Sequence, residues 1–111
     1  MTFAIEQGDP VVVIVTGNVL GGAEALEFNR AVSDLIRDGA RRLVVDLAGV
    51  ELMNSSGLGM LVSASSSLRS AGGTMSLASA GEKIQGLFRM TRLDSVLAHY
   101  VTRDEAIAAH R

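Results

Sequence analysis

The sequence predicts an α/β fold, a mixed β-sheet with helices packed against it. Three observations lead there. Short β-branched runs alternate along the chain with segments whose apolar residues recur at helical spacing, the pattern of a sheet that contains parallel pairs. Hydrophobic residues make up 48% of the 111 residues while aromatics make up only 4%, so the core is built from Val, Leu, Ile, Ala and Met, which suits thin helices laid on a sheet. Turn and cap residues fall at the borders of the runs.

Each element follows in order. Residues 3–6 and 11–16 are β-branched or aromatic-rich and are parted by Gln7-Gly8-Asp9-Pro10; that is turn chemistry, so the two runs form an opening hairpin. Gly17-Asn18-Val19-Leu20-Gly21-Gly22 reads as a flexible loop. Ala25, Phe28, Val32, Leu35 and Ile36 then recur at helical spacing, and Gly39 stands where a left-handed helix terminator is expected. Residues 43–47 read as a short buried strand. Residues 48–53 lead to Asn54-Ser55-Ser56, three good N-cap residues in a row, which open a second helix to about Ala71. Gly72-Gly73 ends it, and residues 74–78 form the next strand. Ser79-Ala80-Gly81-Glu82 is a capping box that opens a helix carrying Ile84, Leu87 and Phe88. Residues 96–101 are the last strand, and Thr102-Arg103-Asp104-Glu105 is a further capping box for a short terminal helix through Ile107. The expected order is β-β-α-β-α-β-α-β-α in a single domain over residues 1–111, with no internal repeat or linker.

Composition narrows the function. The net charge is -2 and the basic residues are scattered, so nothing neutralises a phosphate backbone and no nucleic-acid partner is expected. The absence of cysteine removes disulfides, thiolate catalysis and cysteine-ligated metals and fits a reducing compartment. The longest strongly apolar run, residues 11–15, is far too short to span a bilayer, and the N-terminus lacks the basic and apolar regions of a signal peptide. No membrane association and a cytoplasmic location are therefore expected. Cofactor motifs are also missing. Gly57-Leu58-Gly59 is too little of a dinucleotide fingerprint, and the only lysine, Lys83, sits in no phosphate loop.

Isolated titratable residues have plain readings. His99 and His110 have no evident carboxylate partner, so neither is expected to bind metal or act as a base, and His99 reads as ordinary strand surface. Asp46 reads as a strand-end carboxylate whose charge reaches water or a backbone donor. Ser63, Ser65, Ser66, Ser67 and Ser70 read as small residues that allow close packing or face solvent. Met53 and Met60 are core fillers by default, with an adaptable docking surface as the other reading.

The informative segment is residues 50–61, Val-Glu-Leu-Met-Asn-Ser-Ser-Gly-Leu-Gly-Met-Leu. It delivers the chain to a helix start, with two hydroxyls where amide N–H groups lack partners. The helix dipole favours negative charge there by about 0.3–1 kcal/mol. A phosphoryl group would add about -1.5 to -2 charges without melting the helix, and would alter what docks on that surface. Local chemistry alone favours plain capping, with Gly57 and Gly59 allowing close packing.

Asn54-Ser55-Ser56-Gly57-Leu58-Gly59 resembles the signature of STAS domains, in particular stand-alone anti-sigma factor antagonists, whose usual form is Asp-Ser-Ser/Thr-Gly-Leu/Ile-Gly. The likeness extends over the chain, through Gly17 closing the second strand, Ala71-Gly72-Gly73, Lys83-Ile84 to Leu87-Phe88, and Thr91-Arg92-Leu93. It implies a STAS-like sheet with helices and a non-enzymatic role. It also implies that Ser55, with Ser56 as neighbouring hydroxyl, is phosphorylated by a partner that is both anti-sigma factor and serine kinase. Phosphorylation then prevents docking and a serine phosphatase restores it. The docking surface so implied comprises Asn18, Val19, Leu20, Met53, Asn54, Ser55, Ser56, Gly57, Leu58 and Met60, on a monomer without cofactor or metal. Asn54 departs from the family's Asp: it caps equally well but removes a negative charge beside the acceptor. The alternative is a STAS module that binds a small ligand or serves as a subunit of a transport or signalling complex. A hydrolase using Ser55 would need a base, and the sequence offers none.

Overall fold

The β-branched runs pair into a sheet whose spatial order follows the chain. In the computed structural model, which describes residues 1–110, strands β1 (Thr2–Glu6), β2 (Val11–Val19), β3 (Arg42–Met53), β4 (Thr74–Ala78) and β5 (Ala98–Tyr100) lie side by side in that order. β1 and β2 form the expected antiparallel hairpin, with Phe3 opposite Val15. All later pairs are parallel. Helices α1 (Ala23–Arg37), α2 (Ser55–Ser70) and α3 (Glu82–Met90) are the crossovers between them. Right-handed crossovers between strands laid down in sequence put all three helices on one face. Helix α4 (Arg103–Ala109) follows the last strand and covers part of the other.

This layering accounts for the apolar run at the start of β2. Val11, Val13 and Val15 point into the main core with Phe28 and Val32 of α1, Leu61 and Leu68 of α2, and Ile84 and Phe88 of α3. Val12 points the other way, into a smaller core with Val44, Ala78 and Ala106. The run is continuous because both faces are covered there. With few aromatics to fill space, Phe3 and Phe28 meet edge to face at 5.6 Å.

The order of elements is the expected one, with a 3₁₀ turn at Leu93–Ser95 added. Gly39 and Gly72, at φ 104 and φ 85, end α1 and α2 as glycines in left-handed geometry. Several boundaries differ from expectation. Asn18 and Val19 belong to β2, and residues 48–53 belong to β3, because the two strands stay paired to their ends, Val19 against Met53. The Ser79 capping box does not form. Ser79 has φ 61 and its N–H donates to the Tyr100 carbonyl at 3.0 Å, so Gly81 is the N-cap and no side chain caps α3. The Thr102 box does cap its helix, its hydroxyl accepting the Glu105 N–H at 3.1 Å. The last strand shrinks to Ala98–Tyr100 because residues 93–97 are held in turns by Leu93 and Arg92 carbonyls.

Candidate partner-docking site

The end of β3 and the start of α2 are fixed by three hydrogen bonds of Asn54, two through its backbone and one through its side chain. Asn54 is extended at φ -115, and its N–H donates to the Val19 carbonyl at 3.3 Å, which extends the β2–β3 pairing by one residue. Its side-chain oxygen accepts the Gly57 N–H at 2.9 Å, and its carbonyl accepts the Leu58 N–H at 3.0 Å. Asn54 is thus the N-cap, and Ser55 and Ser56 are the first two residues of the helix. Gly57 lies against β2 so closely that a Cβ there would run into the Val19 carbonyl oxygen. Leu58 and Leu61 then anchor the helix in the core.

This geometry sorts the implied docking residues. Val19, Met53, Gly57, Leu58 and Met60 are buried and build the platform beneath the surface. Asn18, Leu20, Asn54, Ser55 and Ser56 are exposed. They gather at the carboxyl ends of β2 and β3, the end at which open parallel sheets present their sites. The loop after β2 closes over this spot. Gly21, at φ +87, approaches Ser56 so nearly that a Cβ on it would lie 2.6 Å from the Ser56 Cβ. Leu20 beside it is 51% exposed.

Ser55 presents an exposed side chain at the positive end of a helix. The Asn54 cap occupies the Gly57 N–H, which leaves the N–H groups of the first two helical residues to face solvent and any anion placed there. The first turn of α2 carries no acidic residue, so an anion placed here would meet the positive helix end with no carboxylate of that turn beside it. Among the described residues neither serine has a histidine or carboxylate within hydrogen-bond reach. Among the same residues no group of three His, Cys, Asp or Glu side chains could hold a metal, and no helix is long and apolar enough to cross a membrane.

The histidines and Asp46 sit elsewhere, in more connected settings than the sequence suggests. His99 is half-buried rather than ordinary surface. Its Nε2 accepts the Ala80 N–H at 3.1 Å, and burial pushes its pKa down. His110 meets the Ser76 hydroxyl at 2.8 Å through Nε2, and its pKa is lowered by burial and by Arg42 against an opposing effect of Asp9. Asp46 lies within β3 and not at a strand end; it reaches a backbone donor as expected, the Ala48 N–H at 2.9 Å, but it is buried and also pairs with Arg103 at 2.8 Å. Arg103 pairs in turn with Glu6 at 3.1 Å. That ion pair joins residues far apart in sequence, so no local pattern announces it.

Comparison with known proteins gives a consistent picture. Residues 2–106 match the STAS domain family. A Thermotoga maritima protein named as an anti-sigma factor antagonist is 31% identical over 100 residues, which cover 89% of this chain and 88% of that protein. A crystal structure of a Thermotoga maritima protein of that name superposes with a TM-score of 0.84 at 31% identity, covering 98% of this chain and 94% of the other. One from Mycobacterium paratuberculosis superposes with a TM-score of 0.85 at 29% identity, covering 99% and 93%.

Proposed function

The chain belongs to the STAS domain family, and from that premise we propose that it is an anti-sigma factor antagonist switched by phosphorylation of Ser55. The observation that carries this reading is the exposed Ser55 hydroxyl on the first turn of α2, in the family's signature and at the rim shared with Asn18 and Leu20. The unmodified protein docks an anti-sigma factor that is also a serine kinase, and so frees the sigma factor. The kinase holds ATP and transfers its terminal phosphoryl group to the Ser55 oxygen, releasing ADP and the hydroxyl proton. The added charge of about -1.5 to -2 lies in the contact surface, where desolvating it opposes docking. A serine phosphatase hydrolyses the ester and resets the switch. The domain is a substrate and a binding partner in this cycle, with no chemistry of its own, and acts as a cytoplasmic monomer. Asn54 keeps the cap while removing the acidic neighbour, which lowers the charge that kinase and phosphatase must recognise.

The test is direct. The protein is incubated with ATP and each anti-sigma-type serine kinase of its source genome, and the phosphate is mapped by mass spectrometry. The expected site is Ser55, with loss of complex on modification and no labelling of Ser55→Ala. Labelling of Ser55→Ala at the parent level overturns the assignment.

A further inference from the structure

We infer that the partner docking at Ser55 also contributes an extended apolar segment, which adds as a strand to the free edge of β3 and seats side chains in the groove between β3 and α3; this rests on the docking reading above. β3 is longer than its neighbour on one side. β4 pairs with it only from Arg42 to Asp46, whereas β2 stays paired along the other edge as far as Met53. The Ala48 N–H is taken by the Asp46 carboxylate. Among the described residues, 49–53 therefore have no strand neighbour on the β4 side. An unpaired strand edge is a template for another strand.

α3 stands beside this edge without covering it. Between them runs a groove of about 340 Å³, lined by Glu51, Leu52, Met53, Lys83, Leu87 and Met90. Two of its apolar side chains are left in water, Leu52 at 55% and Met90 at 82% exposure. The floor is open at Gly86, where a Cβ would meet nothing nearer than the Arg89 side chain at 3.8 Å.

Backbone chemistry selects the occupant. A helix laid along the edge would bury the N–H and C=O groups of β3 without partners, whereas a strand pairs them. Alternate residues of that strand would point into the groove against Leu52 and Met90. Charge selects its flanks. Glu51 marks the strand side and Lys83 the helix side, and neither is in an ion pair among the described residues. The complement is an apolar stretch with a carboxylate near Lys83 and a cation near Glu51. Met53 lines this groove and also lies beneath the Ser55 surface. At about 3.3 Å per extended residue, Leu52 lies roughly 10 Å along the chain from Ser55, well inside a footprint of about 800 Å².

The experiment uses the kinase that labels the protein in the assay above. Its affinity is measured for the parent, Leu52→Ser, Met90→Ser, the double variant, and Val96→Ser as a control exposed apolar position lining a different cavity. Circular dichroism confirms that each variant is folded. Hydrogen exchange of residues 49–53 is followed in the free protein and in the complex. We expect the double variant to bind at least about tenfold more weakly, Val96→Ser to bind within about twofold of the parent, and those 49–53 amides that face away from β2 to become protected in the complex. A double variant within about twofold of the parent overturns the inference, as do amides that exchange equally fast in the complex. If the parent is labelled on Ser55 and the double variant binds normally, only this inference falls. If the parent is neither bound nor labelled, both readings fall.

Discussion

At the scale of single residues, the signature works through atoms it lacks as much as through those it presents. Gly57 is required because the Val19 carbonyl, which also accepts the Asn54 N–H, occupies the space a Cβ would need. The same backbone oxygen thus fixes both the cap residue and the glycine behind it. Gly59, one position past Leu58, faces open space, and a Cβ there would have nothing within 4 Å. The two glycines therefore predict opposite outcomes. Gly57→Ala forces the start of α2 off β2 and is expected to cost about 1–3 kcal/mol. Gly59→Ala is expected to stabilise by roughly 0.5–1 kcal/mol, the ordinary helix preference of alanine over glycine. Urea unfolding of both variants checks this, and equal shifts would contradict the close contact at Val19.

At the scale of elements, α4 is held to the sheet by a small apolar contact and one ion-paired anchor. Ala106 and Ile107 cover Val12, Val44 and Ala78, while Arg103 at the first turn bridges Asp46 of β3 and Glu6 of β1. The Asp46 side chain is only 8% exposed, whereas Arg103 is 32% exposed. Replacing Arg103 with Met keeps the stem but leaves the Asp46 carboxylate with the Ala48 N–H alone. The expected loss is about 2 kcal/mol, below the roughly 3–5 of a fully buried pair because water reaches Arg103. Urea unfolding measures it, and Asp46→Asn in the same background should restore part of the loss. The elements most legible in the sequence were those set by local rules: the hairpin at Gln7-Gly8-Asp9-Pro10, the glycine ends of α1 and α2, and the Asn54 and Thr102 caps. The extra length of β3 was hidden because Gly49 and Glu51 break its apolar pattern while pairing to β2 holds it extended. Ser79 matched a capping box in spelling, but its N–H is drawn to Tyr100 across the sheet. At the candidate site, exposure of Ser55 and Ser56 followed from their place at a helix start, whereas the burial of Met53, Leu58 and Met60 depends on which face meets the sheet.

At the scale of the whole molecule, the two histidines tie the late elements to the rest and make global stability depend on pH. His99 joins β5 to the segment before α3 through the Ala80 N–H, and His110 joins the end of α4 to Ser76 of β4. Both are held below the ordinary value of 6.5, chiefly by burial. Around His99, Arg89 and Asp94 face the same small cavity with Gln85 and Phe88. Protonating Nε2 of His99 also replaces the acceptor of the Ala80 N–H with a second donor. Below 6.5 the unfolded chain takes up protons that the folded chain still refuses, so the unfolded state binds more protons and stability rises with pH. The contribution is complete above the unfolded value of 6.5 and is lost as pH falls through it towards the lower folded values. Urea midpoints measured between about pH 8 and pH 5.5 should therefore decline for the parent before the carboxylates begin to titrate. A double variant, His99→Gln with His110→Gln, keeps a hydrogen-bonding side chain at each position and has nothing to titrate there. Its midpoint should stay level over the same window, and the protection factor of the Ala80 amide, which falls on acidification in the parent, should stay constant. Parallel declines in parent and double variant would place the pH dependence in other groups and remove the histidines from it.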